Sequence, residues 1–170
     1  MSIELVRLDD RLIHGQVVAG WVKALYADSI TVIDNDVAQD SFQQDLMRMA
    51  VPEGVSVHVH SVADCKNHLE ELEASGQRAI VLFSQVVDIN ELYLSIGFPS
   101  RVLNVGGVRF EDARERVTDV LFLSKAEIGM LIAMIRDGLT VEFRPTPFDK
   151  AINFLDLVNS GQSGSIEAPR

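Results

Sequence analysis

The sequence predicts a single three-layer α/β domain, with a mostly parallel open sheet of about six or seven strands and helices on both faces. Short runs rich in β-branched residues alternate with segments of helical periodicity along most of the chain. Several runs, such as 79–83, are apolar at every position, as burial on both faces of a parallel sheet requires. Glycines also stand at or just past helical segments, where helices commonly end, at Gly54, Gly76, Gly97 and Gly138.

The alternation assigns the elements in chain order. In the first helix Val17 and Trp21 are spaced to face the sheet, and Ser124 with Glu127 forms a capping-box pattern before the fifth helix. Strands are predicted at 3–8, 29–34, 55–60, 78–83, 101–105, 119–123 and 140–144, and helices at 16–27, 37–50, 62–75, 87–96, 125–136 and 149–158.

The end of the chain has a different composition. Two prolines make 144–147 locally extended, and the last helix is predicted to pack back on the domain. The segment from Ser160 is rich in serine and glycine. We therefore expect a domain at 1–159 and a flexible tail at 160–170.

Composition limits the classes of function. The chain has 170 residues and a formal net charge of −10, which argues against binding to nucleic acid or an anionic membrane. Cys65 is the only cysteine, so no intramolecular disulfide can form. The longest apolar runs are too short to span a bilayer, which predicts a cytoplasmic protein without direct membrane insertion.

The most informative segment, 7–16, reads RLDDRLIHGQ between the first strand and the first helix. His14 is a nucleophile at neutral pH, and Arg7 and Arg11 offer guanidinium groups that match phosphate oxygens. Gly15 lets the backbone approach closely, and the helix that starts at Gln16 offers N–H groups to an anion. The segment predicts a phosphoryl site at the carboxyl edge of the sheet.

The neighbouring polar residues leave roles open. Asp9 and Asp10 would repel a phosphoryl group unless they point away, orient the arginines and the loop, or orient the non-reacting imidazole nitrogen; we expect orientation of the arginines and the loop. The segment Asn104 to Gly107 follows another strand. Gly106 and Gly107 could add backbone donors near His14, or form only a turn.

Other polar groups have simpler interpretations. His58 and His60 share a strand face but have no third ligand nearby in sequence, so a partly exposed strand face is favoured over a metal pair. His68 is expected to face solvent, and Asp34 to Asp36 to cap a helix. The sequence contains no GxGxxG, Walker A or nucleophile-elbow pattern, and we expect neither a cofactor nor a metal.

The same residues carry a family resemblance. The segment 7–17, RLDDRLIHGQV, with Trp21 after it, resembles the active-site segment of the enzyme IIB components of the mannose, fructose, sorbose and N-acetylgalactosamine branch of the sugar phosphotransferase system. Weaker similarity extends through 32–38, 104–107 and 141–144, and the proline-rich turn after that strand departs from the pattern.

The resemblance implies a phosphoryl carrier. His14 would accept phosphate on Nδ1 from a phosphohistidine of a IIA partner and deliver it to a hexose or amino sugar bound by the membrane IIC and IID components. Arg7 and Arg11 match the arginines that this family places around the phosphate. The protein would then work at the inner face of the cell membrane. A phosphate- or sugar-sensing module on the same fold, and a phosphatase with a histidine nucleophile, are the alternatives.

Overall fold

The computed structural model describes residues 3–162. Nine strands and six α-helices alternate, with a π-helix and a 3₁₀-helix between them. The strands are β1 (Ile3–Leu8), β2 (Ser29–Ile33), β3 (Ser56–His60), β4 (Ala79–Phe83), β5 (Val102–Val105), β6 (Arg114–Arg116), β7 (Phe122–Ser124), β8 (Thr140–Phe143) and β9 (Ile152–Asn153). The helices are a π-helix (Gln16–Val22), α1 (Lys23–Leu25), a 3₁₀-helix (Val37–Gln39), α2 (Ser41–Ala50), α3 (Cys65–Ser75), α4 (Val86–Ile96), α5 (Lys125–Arg136) and α6 (Phe154–Gln162).

Seven strands form one sheet in the order β3-β2-β4-β1-β5-β8-β9, and only β9 runs antiparallel to its neighbour. The predicted α/β class and mostly parallel sheet are confirmed. Every residue of β2 and β4 is buried, as expected for central strands covered on both faces.

Successive side chains of the central strands alternate between two cores. On one face, Ile80 and Leu82 of β4 pack with the π-helix and α2, through Trp21 among others. On the other face, Val81 and Phe83 pack with α3 to α6. This period of two produces the three layers.

Three sequence assignments were wrong in part. The strand expected at 119–123 is β7, which pairs with β6 in a separate antiparallel ribbon, because an apolar run indicates a pleated surface without specifying its partner. The helix expected at 37–50 is interrupted at Asp40, whose extended backbone and side chain cap α2 through the N–H of Gln43.

The helix expected at 149–158 begins only at Phe154, since Ile152–Asn153 pairs with β8 as the two-residue strand β9, too short to show a periodicity. α6 extends to Gln162, past the expected domain end at 159. The rest of the expected tail lies outside the described residues. Within 3–162 no helix is both long and apolar enough to cross a bilayer.

Candidate functional site

The predicted site lies where β1 and β5, neighbours in the sheet, reach its carboxyl edge. The loop after β1 leads into the π-helix, and the loop after β5 begins with Gly106. Asp10 joins the two loops, because its main-chain N–H donates to the carbonyl of Gly107 at 3.0 Å. Between Asp10 and the helix, buried Leu12 adopts a left-handed φ of 55°. That conformation costs a non-glycine residue roughly 1–2 kcal/mol, so the turn is held by its surroundings.

Asp9 is the hydrogen-bonding centre of the site. Its carboxylate is completely buried and accepts hydrogen bonds from Arg7 Nη2 at 2.9 Å, Arg11 Nε at 3.2 Å and His14 Nε2 at 3.0 Å. Burial by itself raises the pKa of Asp9, but the hydrogen bond from His14 and the charge of Arg7 outweigh it and hold that pKa well below its ordinary value. Asp9 is therefore a permanent negative charge that orients both arginines and the imidazole.

His14 is fixed through one ring nitrogen and not through the other. Its side chain is 15% exposed, so the ring lies at the margin of the core. Nε2 faces the carboxylate of Asp9, which can only accept, so Nε2 carries the hydrogen. Nδ1 then holds the lone pair, whose one described contact is a long hydrogen bond of 3.3 Å accepted from the main-chain N–H of Gln16. The nucleophilic nitrogen in this arrangement is Nδ1.

Arg11 is the exposed cation beside the ring. Its Nε and Nη2 donate to Asp9, and Nη2 also donates to Oε1 of Gln16 at 3.2 Å. The Arg11 side chain is 41% exposed, and Nη1 has no hydrogen bond within the described part of the chain. Gly15 leaves open space where a Cβ would stand. One edge of the guanidinium is thus held while the other is available to an anion.

Arg7 does not lie at the surface with Arg11. Its side chain is completely buried, with Nη1 donating to Asn104 Oδ1 and to the Arg144 carbonyl, and Nη2 donating to Asp9 and to the Pro145 carbonyl. These contacts use all four Nη hydrogens inside the protein. The sequence predicts that the Arg7 guanidinium matches phosphate oxygens as that of Arg11 does, but in the structure its Nη hydrogens are bonded within the protein, because Arg7 lies within β1, where both faces of the sheet are covered.

The loop after β5 contributes to the site through its glycines, which leave room for neighbouring side chains, and not through hydrogen-bond donors to a ligand. The N–H of Gly106 donates to the Leu8 carbonyl at 2.8 Å, so it is not available to a ligand as the sequence analysis had allowed. A Cβ at Gly106 would lie 2.7 Å from Asp9 Oδ2 and closer still to the Arg7 guanidinium. A glycine is therefore required for the Arg7–Asp9 pair to form. The requirement at Gly107 is weaker, since an added Cβ would lie 3.3 Å from the Val120 carbonyl oxygen and at an ordinary contact distance of 3.5 Å from Arg11 Nη2.

Asp10 has a partner that the sequence analysis missed. Its Oδ2 accepts from the main-chain N–H of Arg109 at 2.8 Å and from Arg109 Nε at 2.9 Å. Asp10 therefore points away from His14 and orients Arg109 rather than Arg11. The basic residue two places after Gly107 was the available signal, but only the fold brings it beside Asp10.

The proline turn after β8 closes the back of the site. The guanidinium carbons of Arg7 and Arg144 each lie 5.5 Å from the centre of the Trp21 ring, and Trp21 Nε1 donates to the Pro145 carbonyl at 3.4 Å. The turn had looked untypical in sequence. In the fold it supplies main-chain acceptors to Arg7.

The remaining candidates lie elsewhere. The ring centres of His58 and His60 on β3 lie 4.7 and 4.4 Å from that of His68, which is half-buried on α3 and bonds Thr31 Oγ1 at 2.9 Å. The expectation that His68 faces solvent was wrong, because α3 packs that side chain against the edge strand β3.

Asp34 caps the following helical turn as expected, since its carboxylate accepts from two following main-chain N–H groups at 2.9 Å. Within 3–162 no three potential ligands are grouped as a metal site would need.

A cavity of about 320 Å³ adjoins the site, between the loops after β1 and β5 and the segment 119–122 that enters β7. Arg11 and Gln16 line it on the side of His14, and Arg109 and Phe110 line it on the other. A larger cavity of about 1030 Å³ lies at the opposite edge of the sheet, by the first residues of β1 and β5, and contains none of the predicted site residues.

Comparison with known proteins gives a consistent result. The family described as "PTS system sorbose subfamily IIB component" matches residues 3–167. The fructose-specific EIIB component of Bacillus subtilis is 32% identical over 160 residues, which are 94% of this chain and 98% of that protein. The mannose-specific EIIAB component of Escherichia coli is 30% identical over 94% of this chain, which spans 49% of that longer protein.

Solved structures agree with the fold. The IIBSor domain of the sorbose permease from Klebsiella pneumoniae superposes with a TM-score of 0.85 at 29% identity, covering 94% of this chain and 98% of that one.

Proposed function

This chain belongs to the sorbose subfamily of PTS IIB components, and from that premise we propose that His14 carries the phosphoryl group that such a component transfers to a sugar. The donor is a phosphohistidine on a IIA partner, and the acceptor is a hexose or amino sugar taken up through membrane IIC and IID components. Relatives named for fructose, mannose, sorbose and N-acetylgalactosamine support the substrate class. The chain then works in the cytoplasm, at the inner face of the membrane.

One observation carries the proposal: His14 presents the lone pair of Nδ1 while a buried carboxylate holds Nε2–H. In this state the ring needs no base to become a nucleophile. Nδ1 lies at the start of the π-helix, where main-chain N–H groups favour negative charge.

The bond changes follow from this tautomer. Nδ1 attacks phosphorus, a P–N bond to His14 forms, and the P–N bond to the donor histidine breaks, returning its electron pair to the donor ring. Because Nε2 keeps its hydrogen, the phosphorylated ring is an imidazolium, which Asp9 stabilises. In the second transfer a sugar hydroxyl oxygen attacks phosphorus, the bond to Nδ1 breaks, and the hydroxyl proton passes to solvent.

Charge and position supply the rate enhancement. The open edge of Arg11 binds equatorial phosphoryl oxygens, and Gln16 and Gly15 border the same space. Arg7 acts as a positioning residue through Asp9 and Asn104. Asp9 thus sets the orientation of both the nucleophile and the cation, which in-line transfer demands.

The test is phosphorylation by a phosphorylated IIA protein, followed by intact-mass measurement. The wild-type chain should gain one phosphoryl group that is labile in acid and stable in base, and His14→Ala should gain none. His60→Ala, a histidine variant away from the site, should gain it as the wild type does. A phosphoryl adduct on His14→Ala would contradict the proposal, and reversible phosphate binding without any adduct would support a sensing module instead.

A further inference from the structure

The geometry of the proposed transfer requires the sugar to approach His14 closely. An attacking hydroxyl oxygen must come within roughly 3–3.5 Å of the phosphorus. In-line attack brings this oxygen from the side of the phosphorus opposite Nδ1, so the sugar ring lies beside the rim of the site and not against the imidazole itself. Gln16 connects that rim to a cavity, because its main-chain N–H contacts Nδ1 and the same residue lines the 320 Å³ cavity.

The cavity has the size and mixed character of a small-ligand site. Ligand pockets of about 300–1,000 Å³ combine apolar walls with a few convergent polar groups. Here the loops after β1 and β5 and the entry to β7 form the walls. The two loops are joined by the Asp10–Gly107 hydrogen bond, and Val108 bonds the carbonyl of Val120 at 2.9 Å, so the walls hold one another in place.

Its polar lining offers cationic donors. Asp10 lines the cavity, but its Oδ1 is buried and its Oδ2 already binds Arg109, so this carboxylate is closed to a ligand. Arg109 uses only its main-chain N–H and its Nε in the described hydrogen bonds that it donates, and its side chain is 76% exposed. Arg11 has no described hydrogen bond at Nη1. The lining therefore offers two guanidinium groups with open N–H donors, which the oxygen atoms of hydroxyl and phosphate groups can accept.

Its apolar lining offers a flat face. The rings of Phe110 and Phe122 meet edge to face with centres 5.8 Å apart, and Phe110 is 63% exposed. The C–H faces of a pyranose or furanose ring bury apolar surface against such rings, while its hydroxyl groups need polar partners at the rim. The cavity pairs these two features next to the phosphoryl position.

We propose that this cavity binds the ring of the sugar that accepts the phosphoryl group, and equally the ring of the sugar phosphate product. Phe110 packs on the ring, Arg109 donates to a ring hydroxyl oxygen, and Arg11 faces the phosphate. This inference rests on the proposed function and adds that the IIB chain itself contacts the sugar.

The experiment is a titration of the ¹⁵N-labelled, unphosphorylated chain with mannose 6-phosphate, fructose 1-phosphate and N-acetylgalactosamine 6-phosphate. Glycerol 3-phosphate, which has the phosphate but no ring, is the reference ligand. At least one sugar phosphate should shift the amide signals of Gly107, Arg109 and Phe110, with a dissociation constant about tenfold below that of glycerol 3-phosphate. Phe110→Ala should remove most of this difference. Phe42→Ala is the matched control, since Phe42 is a 71% exposed phenylalanine on α2 and does not line the cavity.

Equal affinity for glycerol 3-phosphate, shifts confined to other parts of the chain, or full ring-dependent affinity in Phe110→Ala would each overturn the inference. The covalent phosphorylation of His14 is measured separately. A chain that accepts phosphate on His14 without ring-dependent binding overturns this inference and leaves the proposed function standing. Ring-dependent binding at the cavity with no phosphorylation of His14 overturns the proposed function instead.

Discussion

At the scale of single residues, one buried carboxylate determines what its neighbours can do. Asp9 accepts from Arg7, Arg11 and His14, so the tautomer of the imidazole and the direction of both guanidinium groups have one common origin. Arg7 and Arg11 are identical in chemistry, yet one is fully buried and the other 41% exposed. Under the proposed function, only Arg11 contacts the phosphoryl group.

Arg11→Lys separates charge from shape. Lysine keeps the positive charge but cannot bind Asp9 and a phosphoryl oxygen through one rigid plane, so we expect phosphoryl acceptance to slow by about 10-fold to 100-fold. Arg11→Ala should slow it further, by about 100-fold to 1000-fold, without loss of folding. Rapid-quench measurement with phosphorylated IIA protein gives both rates. Arg48→Lys, on the exposed face of α2, is the control and should match the wild type.

Gly106→Ala tests the steric requirement behind the Arg7–Asp9 pair. The added Cβ would lie 2.7 Å from Asp9 Oδ2 and closer to the Arg7 guanidinium, so this buried ion pair must shift. We expect the free energy of unfolding to fall by about 1–3 kcal/mol or more in urea titrations.

Gly129→Ala is the matched control for that variant. An added Cβ at Gly129 on α5 meets nothing within 4 Å, and alanine should raise the free energy of unfolding by about 0.5–1 kcal/mol. Equal stability of Gly106→Ala and the wild type would contradict the steric requirement.

At the scale of elements, the site depends on two irregular pieces. The π-helix (Gln16–Val22) starts directly after the loop that carries His14. Such π-helical turns are rare, and they occur frequently at functional sites. The β6–β7 ribbon holds the loop with Arg109, since Arg114 of β6 donates to the Arg109 carbonyl at 3.2 Å and pairs with Glu127 of α5 at 2.9 Å. The regular strands and helices form the core of the domain, whereas the π-helix and the β6–β7 ribbon position the residues around His14 and Arg109.

Tyr26 ends the first helical element in a left-handed conformation, with a φ of 51° and a side chain 78% exposed. Glycine adopts this conformation without steric cost. Tyr26→Gly should therefore raise the free energy of unfolding by about 0.5–1 kcal/mol, even though it removes a large side chain. Tyr26→Ala keeps the steric cost and should give no gain. Urea denaturation compares the three proteins, and equal stability of the glycine and alanine variants would refute the argument.

At the scale of the whole molecule, the chain carries a net charge of −10 while its site collects arginines. Such a local cationic spot in a negative field favours docking through shape and local charge over general attraction to anionic surfaces.

Stability also depends on groups far from the site. Burial, then the charges of His60 and His58, lower the pKa of His68 to about 4. Burial raises the pKa of Asp88 to about 6.

These two groups act in opposite directions on acidification. Between pH 6.5 and about 4 the unfolded chain binds a proton at His68 that the folded chain does not, so the free energy of unfolding falls as the pH drops. Asp88 binds its proton more readily when folded, so acidification through about pH 6 adds stability there. His68→Gln isolates the first effect.

We expect the loss of stability between pH 7 and 4.5 to be smaller in His68→Gln than in the wild type, by on the order of 1 kcal/mol after allowance for solvent at this half-buried ring. Urea titrations at both pH values measure it. Parallel losses in the two proteins would show that protonation of His68 has no part in the acid sensitivity.

The sequence by itself determined the α/β class, the mostly parallel sheet and the position of the His14 loop between the first strand and the first helix. Period-two and helical patterns are local, and Arg11, His14 and Gln16 lie within one short segment. The tertiary structure alone decided the burial of Arg7, the pairing of Asp10 with Arg109, and the turn at Pro145 that braces the site. These depend on contacts between residues about 100 or more positions apart, which no local pattern records. β9 and the β6–β7 ribbon pair with residues at most eleven positions away, but these strands of two or three residues are too short to show a period of two, so only their hydrogen bonds identify them.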